Sequence, residues 1–286
     1  MNSDTKMRIT RIPVMGRTVL AAYRAKLALA NMRTPLVNSI RWLATSRETT
    51  NFTYDLDDLN RRYLAAMISD ILTVDYSTIA EYFSELEGDT QLKQHVIRVT
   101  AASKLAAIAD EYVRFGRRLG WYAVVRALKP RLIVETGVDK GLGSCILTAA
   151  LKRNSQEGFE GRYIGTDINP NAGYLLTGEY ARFGRIMYGD SIESLRTIAD
   201  SIDVFINDSD HSADYEYREY LTIASKLSHR ALVLGDNAHS CDKLLQFSLE
   251  TGRQFVFFQE KPSRHWYPGA GIGFSFHRHS SMSPAD

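Results

Sequence analysis

Apolar residues recur at helical spacing from Thr18 to Asn31 and again from Leu59 to Leu72, with Leu56-Asp57 and Asp58 offering cap chemistry ahead of the second run. The same spacing continues over 74–87 and 91–128, so the pattern predicts an all-helical region up to residue 128. At Pro130 the texture changes. The stretches RLIVETG, RYIGTDIN, IDVFIND and ALVLGDN are short β-branched runs, each ending in glycine or an acidic residue, and helical or turn-rich stretches separate them. Strands that alternate with helices predict a doubly wound parallel sheet covered on both faces. QFVFFQEKP and GIGFSFH then predict a closing antiparallel pair joined by the loop SRHWYPGA, and HSSMSPAD reads as a frayed tail.

Composition narrows the class without changing this picture. A chain of 286 residues with 44% hydrophobic and 24% charged positions is an ordinary globular protein, which excludes disorder and fibre. Its net charge of +2 hides an asymmetry: residues 1–47 carry nine Lys or Arg against the single acid Asp4. Such a basic arm can suit nucleic acid, an anionic membrane surface or an acidic partner subunit. Arg24, Lys26 and Arg33 form no single stripe and no aromatic stacking platform accompanies them, so nucleic acid is not the expected partner; a solvated helix or an oligomer clasp is. Cys145 and Cys241 are the only cysteines, too few for a disulfide framework or a zinc site, which points to a reducing cytosol. Tyr23, Arg24 and Lys26 interrupt the apolar run at Val19–Ala22 before a signal-peptide core can form, and no run approaches the roughly 20 apolar residues of a membrane helix.

The candidate chemistry gathers at the predicted strand ends. VETGVDKGLGS, 134–144, runs from strand through a glycine-rich turn into a helix starting near Ser144, and its turn amides favour a polar or anionic group. Asp139 takes the middle glycine position of G-x-G-x-x-G and would repel a pyrophosphate, so the turn favours a cofactor without one. At the next strand end Asp167 can accept both hydroxyls of a ribose. Asp190 follows at the third, with Ser191 and Ile192 beside it, and these also suit a plain helix cap. INDSDHSADY, 206–215, puts Asp208, Asp210, His211 and Asp214 at the fourth end, and Asp236 and Asn237 stand at the fifth. Asp208, Asp236 and Asn237 should converge at the carboxyl edge of the sheet, where three hard oxygen ligands suit Mg²⁺ or a similar divalent ion. A helix start at 212 and a turn at 236–237 are the plainer readings of the same residues.

Glu135, Gly137 and Gly141 match the E-x-G-x-x-x-G signature of class I S-adenosylmethionine-dependent methyltransferases, which this chain resembles over roughly 110–280. The D-x-D-H form at 208–211 is similar to the macrocin O-methyltransferase and cephalosporin hydroxylase-like group, and more distantly to catechol O-methyltransferases. The resemblance implies a Rossmann-like, seven-stranded, mostly parallel sheet behind a helical extension at 1–109, with the catalytic domain at 110–280 and a tail at 281–286. It implies S-adenosylmethionine held by Glu135, Gly137, Asp139, Gly141, Ser144, Asp167, Asp190, Ser191 and Asp208, and a divalent cation on Asp208, Asp236 and Asn237. His211 falls where the catechol-type enzymes place a catalytic lysine, so it is the expected base, alone or with Asp210, beside Asp208. The implied reaction is O-methylation of a small-molecule hydroxyl, on a sugar-bearing natural product or saccharide, by a cytoplasmic homo-oligomer. Three alternatives stand beside it: a metal-independent methyltransferase, a non-catalytic cofactor-binding scaffold, and a nicotinamide oxidoreductase on the same sheet type. RETTNFTYDLDDLNRRYL and Arg264–Tyr267 are candidates for a lid, an acceptor contact or a dimer contact.

Overall fold

The computed structural model describes residues 13–278. The first twelve positions of the basic arm and the predicted tail at 281–286 lie outside them. Among the described residues two compact units separate: the long helix α1 (Pro13–Thr45) with Arg264–Tyr267, and a second unit running from Arg47 to Ser263 and on from Pro268.

In the first unit, Asn38 Nδ2 donates to the carbonyl of His265 at 3.1 Å, and Trp42 meets Trp266 edge to face at 5.5 Å between centroids. Most of the large apolar side chains of α1, from Leu20 to Leu43, are exposed, which is why its helical periodicity extends beyond the predicted Thr18–Asn31 without a single buried stripe.

The second unit begins with four helices. α2 (Asp58–Leu72) starts where Asp57 accepts from the backbone N–H of Asn60 at 2.8 Å and stops at Thr73 in the left-handed conformation. α3 (Tyr76–Gly88) and α4 (Thr90–Ala101) follow, and α5 (Arg118–Leu128) leads into the sheet. The predicted continuous helix over 91–128 is thus broken at 102–117. Gly116 supplies the turn back into α5, with φ +51° and its Cα packed so that an added Cβ would lie 3.0 Å from the carbonyl oxygen of Tyr54.

The rest alternates. β1 (Leu132–Thr136), α6 (Leu142–Gln156), β2 (Arg162–Asp167), β3 (Gly184–Tyr188), α7 (Ser191–Thr197), β4 (Ile202–Asn207), α8 (Ala213–Ile223), β5 (Leu227–Gly235), α9 (Lys243–Glu250), β6 (Gln254–Gln259) and β7 (Gly271–Phe276) build one seven-stranded sheet in the order β3-β2-β1-β4-β5-β7-β6. β1 to β5 are parallel; β7 runs antiparallel between β5 and β6. Leu132, Val134, Ile164, Phe205 and Val233 from the strands pack with Leu195, Tyr220, Ile223, Leu244 and Phe247 from the helices to form a core, which explains why the strands read as unbroken apolar runs. The chain reverses direction across the sheet between β1 and β4, and such a switch opens a crevice at the carboxyl ends of the strands. No helix among the described residues is long and apolar enough to cross a membrane.

Candidate active site

The turn after β1 is stitched to its neighbours through backbone. Gly137 N–H donates to Thr166 at 2.9 Å and Asp208 N–H to Thr136 at 2.8 Å, so the ends of β1, β2 and β4 meet. Gly137 has φ +78°, and a Cβ there would sit 2.0 Å from the Asp208 carbonyl oxygen; only glycine fits. Asp139 and Gly141 are also left-handed, at φ 45° and 89°. Asp167 holds this turn: its Oδ2 accepts from the N–H groups of Val138 and Asp139 at 3.1 Å each, and Oδ1 accepts from Asn169 at 2.8 Å.

These strand ends open a cavity of about 510 Å³. Asp139, Asp167, Asp190, Asp208 and Asp210 all line it, and among the described residues its lining contains no Lys, Arg or His. Asp190 caps α7 by accepting from Glu193 N–H at 3.0 Å, and it accepts from the Tyr215 hydroxyl at 3.1 Å. Ser191 Oγ lies 2.9 Å from the same hydroxyl and also bonds Glu219, while Ile192 is buried beneath. Glu219 in turn gathers Thr136 and Ser209, at 3.2 and 2.8 Å, and Asn207. Glu135 and Ser144 lie behind this wall rather than on it. Both are buried against the Tyr163 hydroxyl, and burial pushes the Glu135 carboxyl up to about 7.

Beside the cavity, Asp208, His211 and Asp236 offer ligand atoms that all lie within 4.8 Å of one another. Asp236 pairs with Arg117, the residue just before α5: Nη2 donates to Oδ2 at 2.6 Å, and Nε faces Oδ1 as an ion pair without a hydrogen bond. The same guanidinium is 3.9 Å from Asp208 and 4.0 Å from Glu260, which accepts from Tyr54 at 2.7 Å. Burial and the neighbouring Asp236 hold the Asp208 carboxyl well above its ordinary range, and burial raises Glu260 too. His211 lies with Nδ1 3.3 Å from Glu216 and Nε2 2.9 Å from Asn237 Nδ2, an arrangement that suits a proton on Nδ1 and a lone pair on Nε2. The Glu216 contact raises the imidazole's pKa.

The structure therefore brings Gly137, Asp139, Asp167, Asp190, Ser191, Asp208 and Asp210 to one cavity and His211, Asp236 and Asn237 to its flank. Sequence reasoning missed Arg117, Tyr215, Glu216, Glu219 and Glu260. The local signal for Arg117 is weak, because FGRRLGW reads as an ordinary basic helix start.

The residues fit both groups that the resemblance implies. An anionic cavity at the carboxyl ends suits a sulfonium donor and disfavours a pyrophosphate. Asp208, half-buried, and Asp236, buried, with the His211 imidazole beside them, are a divalent-ion donor set.

Sheet order, glycine turn and carboxylate series together are those of a Rossmann-like fold with a ligand crevice at the carboxyl ends of its strands, as the resemblance to class I S-adenosylmethionine-dependent methyltransferases implies. Residues 134–238 match the family described as methyltransferase domain, a span that contains every candidate site residue from Glu135 to Asn237. No curated protein sequence matches the chain. Among solved structures, cofactor-bound Rv0187 from MTB is 17% identical, with 70% of this chain and 96% of that one covered at a TM-score of 0.50. The O-methyltransferase TomG from Streptomyces achromogenes, involved in tomaymycin synthesis, is 16% identical over 67% of this chain and 91% of that one, with a TM-score of 0.49. An O-methyltransferase from Bacillus cereus is 14% identical over 76% and 97%, at 0.42. At such identities the likeness is one of fold.

Proposed function

We propose that the protein is an S-adenosylmethionine-dependent, divalent-metal-assisted O-methyltransferase that acts on a hydroxyl of a small molecule, with sugar-bearing natural products or saccharides as the acceptor class. One observation carries the reading: a cavity lined by five aspartates and no basic side chain, with an imidazole on its flank. When bound, the donor supplies a sulfonium methyl; the acceptor oxygen forms the new C–O bond as the C–S bond breaks, leaving S-adenosylhomocysteine. Asp167 would take the ribose hydroxyls, Asp190 the adenine edge, and Asp139 and the glycine turn the methionine end. His211 Nε2 would receive the acceptor's proton, with Nδ1 steadied by Glu216; Asn237 must first release that nitrogen. Asp210 lines the cavity close by and shares the role. A divalent cation would be held by Asp208, Asp236 and Asn237, with His211 within reach, and would lower the pKa of the acceptor hydroxyl.

A second reading has its own support. Arg117 already neutralises Asp236 from within the protein, which favours a metal-independent enzyme with the guanidinium in the cation's role. Chelation separates the two. Loss of methyl transfer with EDTA and recovery with Mg²⁺ supports the first; activity indifferent to EDTA leaves the second. Absence of S-adenosylhomocysteine binding by calorimetry would sink both. The N-terminal residues 1–109 as a lid or oligomer contact, the catalytic domain at 110–280, a homo-oligomeric state and a cytoplasmic setting, which suits the free thiols Cys145 and Cys241, belong to the same proposal.

A further inference from the structure

β5 begins, β6 begins and β7 ends at the edge of the sheet opposite the carboxyl ends of β1 to β5. Arg253 stands there, immediately before β6, with its side chain buried. Nε donates to Ser275 Oγ at 3.0 Å, and Nη2 donates to the carbonyls of Ser275, at 3.0 Å, and of Ala231. All three acceptors are neutral. The other buried arginines among the described residues, Arg117 and Arg126, each face carboxylates. Arg253 faces none there, and desolvation with no opposing charge pulls its pKa down to about 10. A buried cation without a counter-ion is expensive and rare.

Arg253 also forms part of the wall of a cavity of about 220 Å³, shared with Ser228, His229, Thr251 and His277 over an apolar floor at Leu227 and Phe247. His229 and His277 stack with centroids 6.3 Å apart. Burial, with the Arg253 and His229 charges beside it, lowers the pKa of His277. Ser228 Oγ is buried without a hydrogen-bond partner. The volume equals that of about seven waters, too small for a nucleotide and ample for a small ion.

We propose that this cavity binds a tetrahedral oxyanion of the phosphate or sulfate class, with Arg253 as its principal charge and Ser228, His229 and His277 as further donors. The bound ion would fasten the start of β5 to β6 and β7. Those strands also seat the active-site turn from the far end, because Ala238 N–H donates to the Gly271 carbonyl at 2.9 Å. The ligand could be free inorganic phosphate or the phosphate group of a larger metabolite.

The test is calorimetric and thermal titration of the full chain with inorganic phosphate, and separately with glycerol 3-phosphate, against chloride at matched ionic strength. Saturable binding of phosphate with an upward shift of the unfolding midpoint is expected. Binding of glycerol 3-phosphate with similar affinity identifies a phosphorylated metabolite as a possible source; binding of phosphate alone identifies the free ion. Arg253→Gln should weaken phosphate by roughly tenfold or more while S-adenosylhomocysteine binding persists. If that variant does not fold, His277→Glu, which adds a carboxylate to the cavity wall, gives the decisive reading by the same loss. Phosphate acting no differently from chloride, or His277→Glu binding it as the wild type does, overturns the proposal.

Discussion

Replacing Arg117 with Gln removes one partner of a buried ion pair and leaves Asp236, Asp208 and Glu260 facing one another. The geometry sets the scale: a two-point contact, with Nη2 to Oδ2 at 2.6 Å, between side chains that are both almost fully buried. Breaking such a pair by removing one member costs about 3–5 kcal/mol. At roughly 2–4 °C per kcal/mol for a domain of this size, the midpoint of thermal unfolding should fall by on the order of 10 °C. The loss should depend on pH. Asp208 and Glu260 are held above their ordinary range in the folded protein, so the folded state binds more protons than the unfolded one and stability falls as pH rises through that window. Removing the guanidinium enlarges the effect, so R117Q should be most destabilised near about pH 8 and partly relieved near about pH 5.5, where protons replace the missing charge. Urea unfolding of both proteins at both pH values measures it, and R117Q/D236N should recover a substantial part of the loss. An R117Q variant equally destabilised at the two pH values would refute the account of a charge-balancing guanidinium.

The remaining expectations are simpler to read. His211→Ala should lower turnover by about 10²–10⁴-fold with little change in S-adenosylhomocysteine affinity; turnover near wild type removes its role as base. Because Glu216 raises the His211 pKa and a base must be unprotonated, activity should fall as pH drops through that raised value, and Glu216→Gln should move this acid limb to lower pH. Asp167→Ala gives up the charge-assisted bonds that hold the 138–139 turn, worth roughly 1.5–3 kcal/mol each, so the unfolding midpoint should fall and calorimetry should record weakened cofactor affinity. Gly137→Ala forces a side chain to 2.0 Å from the Asp208 carbonyl at φ +78°, and should cost both stability and cofactor binding; a well-folded variant with normal affinity contradicts the close packing.

The parts of the molecule governed by local pattern were readable in the chain. RLIVETG became β1 and QFVFFQ and GIGFSF the antiparallel pair, because each run is both apolar and bounded by turn residues. The carboxylates at successive strand ends were readable for the same reason: position along a strand decides which edge a residue reaches. The break at 102–117 was missed because the irregular segment keeps a helical distribution of apolar residues and no glycine or proline marks the end of α4 at Ala101; Gly116 marks only the turn back into α5. Arg117 was invisible since its meaning lies in Asp236, 119 positions away, and a lone arginine at a helix start resembles a solvated one. Glu216 and Glu219 hid likewise on α8, whose charged residues read as an outer face although both are buried.

In the function proposed above, the contact between Gly137 and the backbone of Asp208 would make the donor side and the acceptor side of the crevice mechanically one piece. A shift of the β4 turn large enough to accommodate a differently shaped acceptor would be transmitted to the glycine turn after β1, the proposed seat of the donor. Retargeting this scaffold to new acceptors should therefore succeed through substitutions elsewhere around the rim, with 136–141 and 207–209 kept as an unvaried hinge-free floor.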